Sequence, residues 1–153
     1  MDRIYRVGVI GFAHMHVNTL IDSFNALPNV SWVACADTVP LVPSISTEPA
    51  TRRANLRRAH EEIGIPKVYT DYREMLARES LDIVIFCPEN ALHAEVAEAV
   101  AAHGIHMLTE KPMAASLAQA LRMVRAAKAN DVVLAINWPT TWSPAIRTMK
   151  ALL

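Results

Sequence analysis

The chain has 153 residues, the size of a single domain with enough length to bury a sizeable core. Hydrophobic residues make up 52% of the chain and charged residues 20%, a balance that excludes a disordered chain and is typical of a globular protein. The 15 basic and 15 acidic side chains cancel, so the net charge gives no reason to expect nucleic acid or an anionic membrane as a partner.

Apolar runs of strand length alternate with segments of helical period from the start of the chain. YRVGVIG predicts the first strand, and a helix from about 16 to 27 follows with its apolar residues on one face. VSWVACAD is rich in β-branched and aromatic residues and predicts a second strand, which closes on Asp37.

The segment that follows has a different character. Three prolines in TVPLVPSISTEPA predict a surface loop, after which a basic helix is expected to run to about residue 63. KVYT predicts a short third strand. Asp71 and Glu74 then resemble a capping box at the start of a short helix.

The fourth strand is predicted in LDIVIFCP, an almost continuous apolar run of the kind that is buried on both faces of a parallel sheet. Asn90 is expected to be the N-cap of the helix ALHAEVAEAVAAH, which Gly104 ends.

IHMLTE and VVLAINW predict the fifth and sixth strands, separated by a helix that runs to about residue 129. Ser116 is expected to cap that helix. Ser143 opens a last helix, which carries a proline at its first position.

Six strands joined by helical crossovers predict an α/β fold with a doubly wound parallel sheet. Charged residues interrupt the opening of the chain, and the apolar runs are far shorter than the roughly 20 residues of a membrane helix, so we expect a cytoplasmic protein. Cys35 and Cys87 lie inside apolar runs, which favours buried free thiols over a disulfide.

Ligands of such sheets bind beyond the carboxyl ends of the strands. The loop GFAHMH follows the first strand and keeps one glycine, Gly11, while Ala13 and His16 take the other two glycine positions of a dinucleotide loop. Gly11 permits a tight turn, and the helix after it directs N–H groups at an anion. By itself the loop fits a variant phosphate loop, a metal site on His14 and His16, or a turn that binds nothing.

Asp37 closes the second strand, where an acidic side chain accepts hydrogen bonds from the adenosine ribose of a dinucleotide. A carboxylate there repels a 2′-phosphate, and no arginine follows until Arg52 and Arg53, so NAD is favoured over NADP. A capping or turn aspartate is the alternative.

TEKP, residues 109–112, comes directly after the fifth strand. Lys111 could hydrogen-bond a substrate hydroxyl and stabilise the alkoxide that forms as a hydride leaves. The alternative is a surface ion pair between Glu110 and Lys111.

Taken together, five segments resemble the Gfo/Idh/MocA oxidoreductases in order and spacing: VGVIGFAHMH, the aspartate of VACAD, FCPENALHAEVAEAV, GIHMLTEKPMAASLAQA and VVLAINWPTTWSPAI. The most specific element is Pro88, Asn90 and His93 followed by EKP at 110–112. The resemblance implies a Rossmann-type domain and NAD(P)-dependent hydride transfer at the carbinol carbon of a sugar, polyol or related substrate.

The resemblance also implies which residues contact the cofactor, on the loops after four of the strands. These are Gly11, Phe12, Ala13, His14, Asp37, Cys87, Pro88, Asn90, His93, Glu110 and Lys111. The first loop would line the diphosphate, Asp37 would hold the adenosine ribose, and the later loops would border the nicotinamide half. Lys111 matches the family's catalytic lysine.

Family members continue into a second α/β domain, which supplies the substrate wall and the usual interface of a homo-oligomer. We therefore expect a dinucleotide-binding domain at 1–140, the start of a connecting helix at 141–153, and a missing substrate domain without which this chain is inactive. The alternative is a stand-alone NAD-binding or sensor domain without turnover.

Overall fold

A single sheet of six parallel strands organises the computed structural model, which describes residues 3–39 and 52–153 apart from the side chain of Trp142. The strands are β1 (Tyr5–Phe12), β2 (Val30–Ala36), β3 (Lys67–Tyr69), β4 (Ile83–Cys87), β5 (His106–Glu110) and β6 (Leu134–Asn137), in the order β3-β2-β1-β4-β5-β6. The helices are α1 (His16–Asn25), α2 (Arg52–Arg57), α3 (Tyr72–Arg78), α4 (His93–Ala102), α5 (Leu117–Ala129) and α6 (Pro144–Leu152). The predicted doubly wound parallel sheet is confirmed.

Helices cover both faces of the sheet because the parallel strands are apolar on both sides. Helices α3, α4 and α5 pack on one face, against Val84 and Phe86 of β4 among others. Helix α1 and the α2 segment pack on the other face, around Val9 of β1 and the buried thiols Cys35 and Cys87. Both cysteines are free, as expected.

The chain order reverses between β1 and β4, which places the crevice of the fold at the carboxyl ends of these two strands. Their pairing register shifts at Gly11, between Ile10 and Phe12. Gly11 has φ +79°, and a Cβ added there would lie 2.6 Å from the backbone nitrogen of Pro88. Only glycine allows the two strand ends to approach this closely.

Most element predictions hold, and the caps show why. Asp71 accepts a hydrogen bond from the Arg73 N–H (2.8 Å). Ser116 and Ser143 cap α5 and α6 as predicted, and Gly104 ends α4 with φ +69°.

Two element predictions are wrong in detail. Asn90 is not an N-cap: it opens a 3₁₀ turn, Asn90–Leu92, and its carbonyl accepts from the His93 N–H, so α4 begins later than expected. The basic helix toward residue 63 ends in a π turn, Arg58–Glu62, which the bond from the Ile63 N–H to the Arg58 carbonyl closes (3.0 Å). The proline-rich loop prediction lies outside the described residues except for Thr38 and Val39.

Candidate functional site

The first loop leaves two backbone donors free. The N–H groups of His14 and Met15 donate to none of the residues in the described ranges. The other loop N–H groups are used internally, by Phe12 to the Asp37 carboxylate (3.0 Å), by Ala13 to the Cys87 carbonyl (3.0 Å) and by His16 to the His14 Nδ1 (3.2 Å). Two adjacent free donors directly before α1 can bind an anion such as a diphosphate.

Phe12 does not line this loop with its side chain, which corrects the expectation drawn from the resemblance. Its ring is fully buried against Val9, Val17 and Ile21. Its carbonyl accepts from the buried Asn55 amide (3.2 Å). The buried Phe12 ring therefore anchors the loop to the core. The neighbouring residues form the side of the loop that can face a ligand.

His14 and His16 lie edge to face, with ring centroids 4.3 Å apart. Because the His14 Nδ1 accepts the His16 N–H, the neutral form of His14 carries its proton on Nε2. Burial, and next the neighbouring His16, lower the pKa of His14 below its ordinary value. His14 thus offers a neutral Nε2–H donor beside the two free backbone N–H groups.

Glu110 is buried at the end of β5 and joins three elements. Its Oε2 contacts the His16 Nδ1 and accepts the Lys111 N–H, both at 3.2 Å. Its Oε1 accepts from the Asn137 amide at the end of β6. The contact with His16 joins the start of α1 to the end of β5. Glu110 therefore fixes the backbone that carries Lys111.

Lys111 itself is exposed, and its ammonium group makes no hydrogen bond or ion pair with any residue that the structure describes. The predicted surface pair with Glu110 does not form, because both oxygens of Glu110 face internal donors. The Lys111 side chain is free to contact a ligand.

A cavity of about 200 Å³ opens where these loops meet. It is lined by His14, His16, Cys87, Pro88, Asn90, His93, Glu110, Lys111 and Pro112. The structure thus brings together the residues expected at the nicotinamide half of the cofactor. It adds three others: His14, which was expected at the diphosphate, His16 and Pro112. Burial raises the pKa of the Cys87 thiol to about 12. Cys87 therefore lines the cavity as a neutral thiol and is not a nucleophile.

His93 lines this cavity and has one ring nitrogen without a partner among the described residues. The side chain is 1% exposed and packs edge-on against Phe86, and its Nδ1 donates to the Met113 carbonyl (3.1 Å). The Nε2 atom is buried and has no hydrogen-bond partner among the described residues. A buried acceptor without a partner costs stability unless a ligand satisfies it.

The buried imidazole of His93 predicts a pH dependence of stability. Burial lowers the pKa of His93 below the ordinary 6.5, so at lower pH the unfolded chain takes up a proton that the folded chain refuses. The free energy of unfolding should therefore fall as the pH drops below about 6.5, by at most about 1.4 kcal/mol per pH unit. Urea unfolding between pH 5 and 7.5 measures this slope.

The test variant is His93→Gln. Its matched control is His103→Gln, because His103 is exposed at the end of α4. The first should flatten the slope, whatever its effect at neutral pH, and the second should leave it unchanged. Parallel curves for the wild type and His93→Gln would contradict the assignment.

Asp37 lies at a second pocket, of about 580 Å³, beyond the carboxyl ends of β2 and β3. Its Oδ1 accepts hydrogen bonds from the N–H groups of Phe12 (3.0 Å) and Thr38 (2.8 Å) and from the Arg52 Nη1 (2.7 Å). The Oδ2 atom accepts from no described residue. Asp37 is thus oriented through one oxygen, and the other is available to a ligand hydroxyl.

Arg52 corrects the sequence argument about arginines. Arg52 is distant from Asp37 in the sequence. In the structure α2 begins beside the end of β2, and Arg52 bridges the carboxylates of Asp37 and Glu89. The charge around Asp37 therefore includes that of Arg52 and Glu89.

The loop after β3 supplies pocket residues that sequence reasoning missed. Thr70, Asp71, Tyr72 and Arg73 line the pocket with Asp37, and the Arg73 guanidinium stacks 4.6 Å from the centre of the Tyr72 ring. The sequence did contain an indication of these residues, because this segment also follows a strand at the carboxyl edge of the sheet, where ligands bind.

Two further observations concern other kinds of site. Within the described ranges, no group of three or more histidine, cysteine or acidic side chains has an arrangement that could hold a metal ion. None of the helices described is long and apolar enough to cross a membrane.

Comparison with known proteins gives matches over most of the chain. The model of an oxidoreductase family with an NAD-binding Rossmann fold, Gfo/Idh/MocA, matches residues 5–138. The scyllo-inositol 2-dehydrogenase (NADP(+)) IolU of Bacillus subtilis (strain 168) is 40% identical over 82 residues, 54% of this chain and 25% of that protein. The dTDP-3,4-didehydro-2,6-dideoxy-alpha-D-glucose 3-reductase of Streptomyces violaceoruber is 32% identical over 136 residues, 89% of this chain and 36% of the relative.

Solved structures show the same fold. The WlbA dehydrogenase from Bordetella pertussis, in complex with NADH and UDP-GlcNAcA, superposes with a TM-score of 0.80 at 24% identity, over 99% of this chain and 40% of that one. The myo-inositol 2-dehydrogenase from Lactobacillus plantarum has a TM-score of 0.76 at 18% identity, over 98% of this chain and 41% of that one. The chain thus spans about two fifths of the length of these structures, and the Rossmann-type fold is confirmed.

Proposed function

The chain belongs to the Gfo/Idh/MocA oxidoreductase family as its NAD-binding Rossmann domain, and from this premise we propose that it holds NAD for hydride transfer to and from a CH–OH carbon. The substrate class we propose is a sugar, polyol or related compound. The observation that carries the proposal is the pair of pockets on either side of the first loop. One contains Asp37 and the other contains Lys111, with the free N–H groups of His14 and Met15 on the loop of β1.

The residues present fit a dinucleotide. The free Oδ2 of Asp37 can accept from a ribose hydroxyl, and the free loop N–H groups can donate to a diphosphate. The unpartnered His93 Nε2 can accept a hydrogen bond from a group that enters the smaller cavity. When bound, NAD supplies a nicotinamide ring that accepts or returns a hydride.

In this proposal Lys111 binds the substrate hydroxyl. Its ammonium group is exposed beside the smaller cavity, and the buried Glu110 holds its backbone in place. In alcohol oxidation the neutral amine of Lys111 would accept the hydroxyl proton, and the ammonium so formed would stabilise the oxygen by a hydrogen bond. In the reverse direction that ammonium would return the proton to the oxygen. Glu110 acts as a positioning residue.

We further propose NAD as the preferred cofactor. The charged residues that line the larger pocket are Asp37, Asp71, Glu95 and Arg73. Arg52 lies next to Asp37 and is already paired with Asp37 and Glu89. The excess negative charge disfavours the 2′-phosphate of NADP at this position.

The test of cofactor binding is Asp37→Asn. The amide can still accept the Phe12 and Thr38 N–H groups, but it replaces the free Oδ2 with a donor, so NADH affinity should fall about tenfold. Titration of NADH fluorescence against the purified chain measures the dissociation constant, and a thermal melt confirms folding.

Asp22→Asn is the matched control, because Asp22 is an exposed aspartate on α1 that pairs with Arg58 (2.7 Å) away from the pockets. It should leave NADH affinity unchanged. Equal affinities in the wild type and Asp37→Asn would remove Asp37 from the site.

A further inference from the structure

Arg52 lies beside Asp37 of the larger pocket and donates hydrogen bonds from both of its terminal nitrogens. Its Nη1 donates to the Asp37 Oδ1 and to the Thr38 carbonyl, each at 2.7 Å, and its Nη2 donates to the Glu89 carboxylate. The side chain is 20% exposed, so the guanidinium lies between these partners and not in open solvent. This fork is the geometry in which arginine makes its strong charge-assisted hydrogen bonds.

The three partners have different roles in that arrangement. Asp37 is held by two backbone N–H groups and stays in place without Arg52. Glu89 lies on the loop after β4, and among the described residues it meets Arg52 and, at 3.5 Å, the Thr38 hydroxyl. Glu89 is therefore the group that holds the second terminal nitrogen of the guanidinium.

An arginine near the ribose-binding carboxylate is the usual means of accommodating a 2′-phosphate. In this chain such an arginine is present but occupied. A phosphate that entered would have to compete with Glu89 for Arg52 and would meet the charge of Glu89 as well, so two effects of the same side chain act against NADP.

We propose that Glu89 determines cofactor selectivity by holding Arg52 against Asp37, so that the pocket accepts the free ribose of NAD and excludes the 2′-phosphate of NADP. This rests on the proposed dinucleotide-binding function. Neutralising Glu89 releases one arm of Arg52 and removes one negative charge, which turns the same pocket toward NADPH.

The test is a set of dissociation constants for NADH and NADPH, measured by fluorescence and calorimetry. Glu89→Gln should tighten NADPH about tenfold and leave NADH within about twofold. The double variant Glu89→Gln with Arg52→Gln should gain clearly less NADPH affinity over Arg52→Gln alone than Glu89→Gln gains over the wild type, because only the removal of the Glu89 charge then remains. Glu89→Asp, which shortens the side chain and weakens its hold on Arg52, should also shift selectivity toward NADPH. It replaces Glu89→Gln as the test variant if Glu89→Gln does not fold.

The matched control is Glu98→Gln, since Glu98 also pairs with an arginine, Arg122, but on the far side of α4. It should change neither affinity. If NADH binds and Glu89→Gln leaves the NADPH constant within twofold, or tightens it by the same factor in the absence of Arg52, the inference is wrong and the proposed function stands. If neither dinucleotide binds the wild-type chain, both are wrong.

Discussion

Replacing Lys111 by methionine should lower the rate of NAD-dependent substrate oxidation by about a thousandfold and leave the NADH affinity within about twofold. Methionine keeps the apolar stem of the side chain and removes the charge that would stabilise the developing alkoxide. Steady-state rates with NAD and a panel of inositols, other polyols and aldoses measure the first quantity, and fluorescence titration measures the second.

Lys128→Met is the control, because Lys128 is an exposed lysine in the last turn of α5. It should leave both quantities unchanged. Turnover of Lys111→Met within threefold of the wild type would remove Lys111 from the mechanism. Tight NADH binding without turnover on any of these compounds would instead support the alternative of a cofactor-binding module.

Gly11→Ala should destabilise the chain by about 3 kcal/mol and lower its melting temperature by about 10 °C. The positive φ disfavours any Cβ by about 1–2 kcal/mol, and the new Cβ would overlap three atoms of Pro88 at 2.6–2.8 Å. Because two of these atoms are backbone, relief requires the end of β4 to move away from the first loop. NADH affinity should therefore fall along with stability.

Gly64→Ala separates the two causes. Gly64 also has a positive φ, +83°, but nothing lies within 4 Å of the position of its Cβ. It should cost only about 1 kcal/mol and leave NADH affinity unchanged. Urea unfolding of both variants gives the comparison, and equal losses at the two glycines would show that the approach to Pro88 contributes nothing.

The fold could be predicted from the sequence because its determinants are local. The apolar run of β4 is buried on both faces as its composition indicates, and Ser116, Ser143 and Gly104 act at the helix ends where their chemistry suits them. Asn90 shows the limit of such rules, since a 3₁₀ turn precedes the helix that it was expected to cap.

The site was predicted in part. Residues that directly follow β4 and β5, such as His93 and Lys111, converge on one cavity because parallel strands end at the same edge. The ion pairs of Arg52 could not be read from the sequence, since they depend on where α2 begins in space. Nor could the inward direction of the Phe12 ring, because the register shift at Gly11 alters which face each neighbouring side chain takes.

The most direct test of the central claim, that a dinucleotide binds along the carboxyl edge of the sheet, is a titration of the ¹⁵N-labelled chain with NADH followed by amide NMR shifts. The shifts should concentrate at His14, Met15, Thr38 and Lys111. The amides of Arg6 and His103, which line a groove at the opposite edge, should not move. No shifts at millimolar NADH, or shifts centred on Arg6 and His103, would contradict the claim.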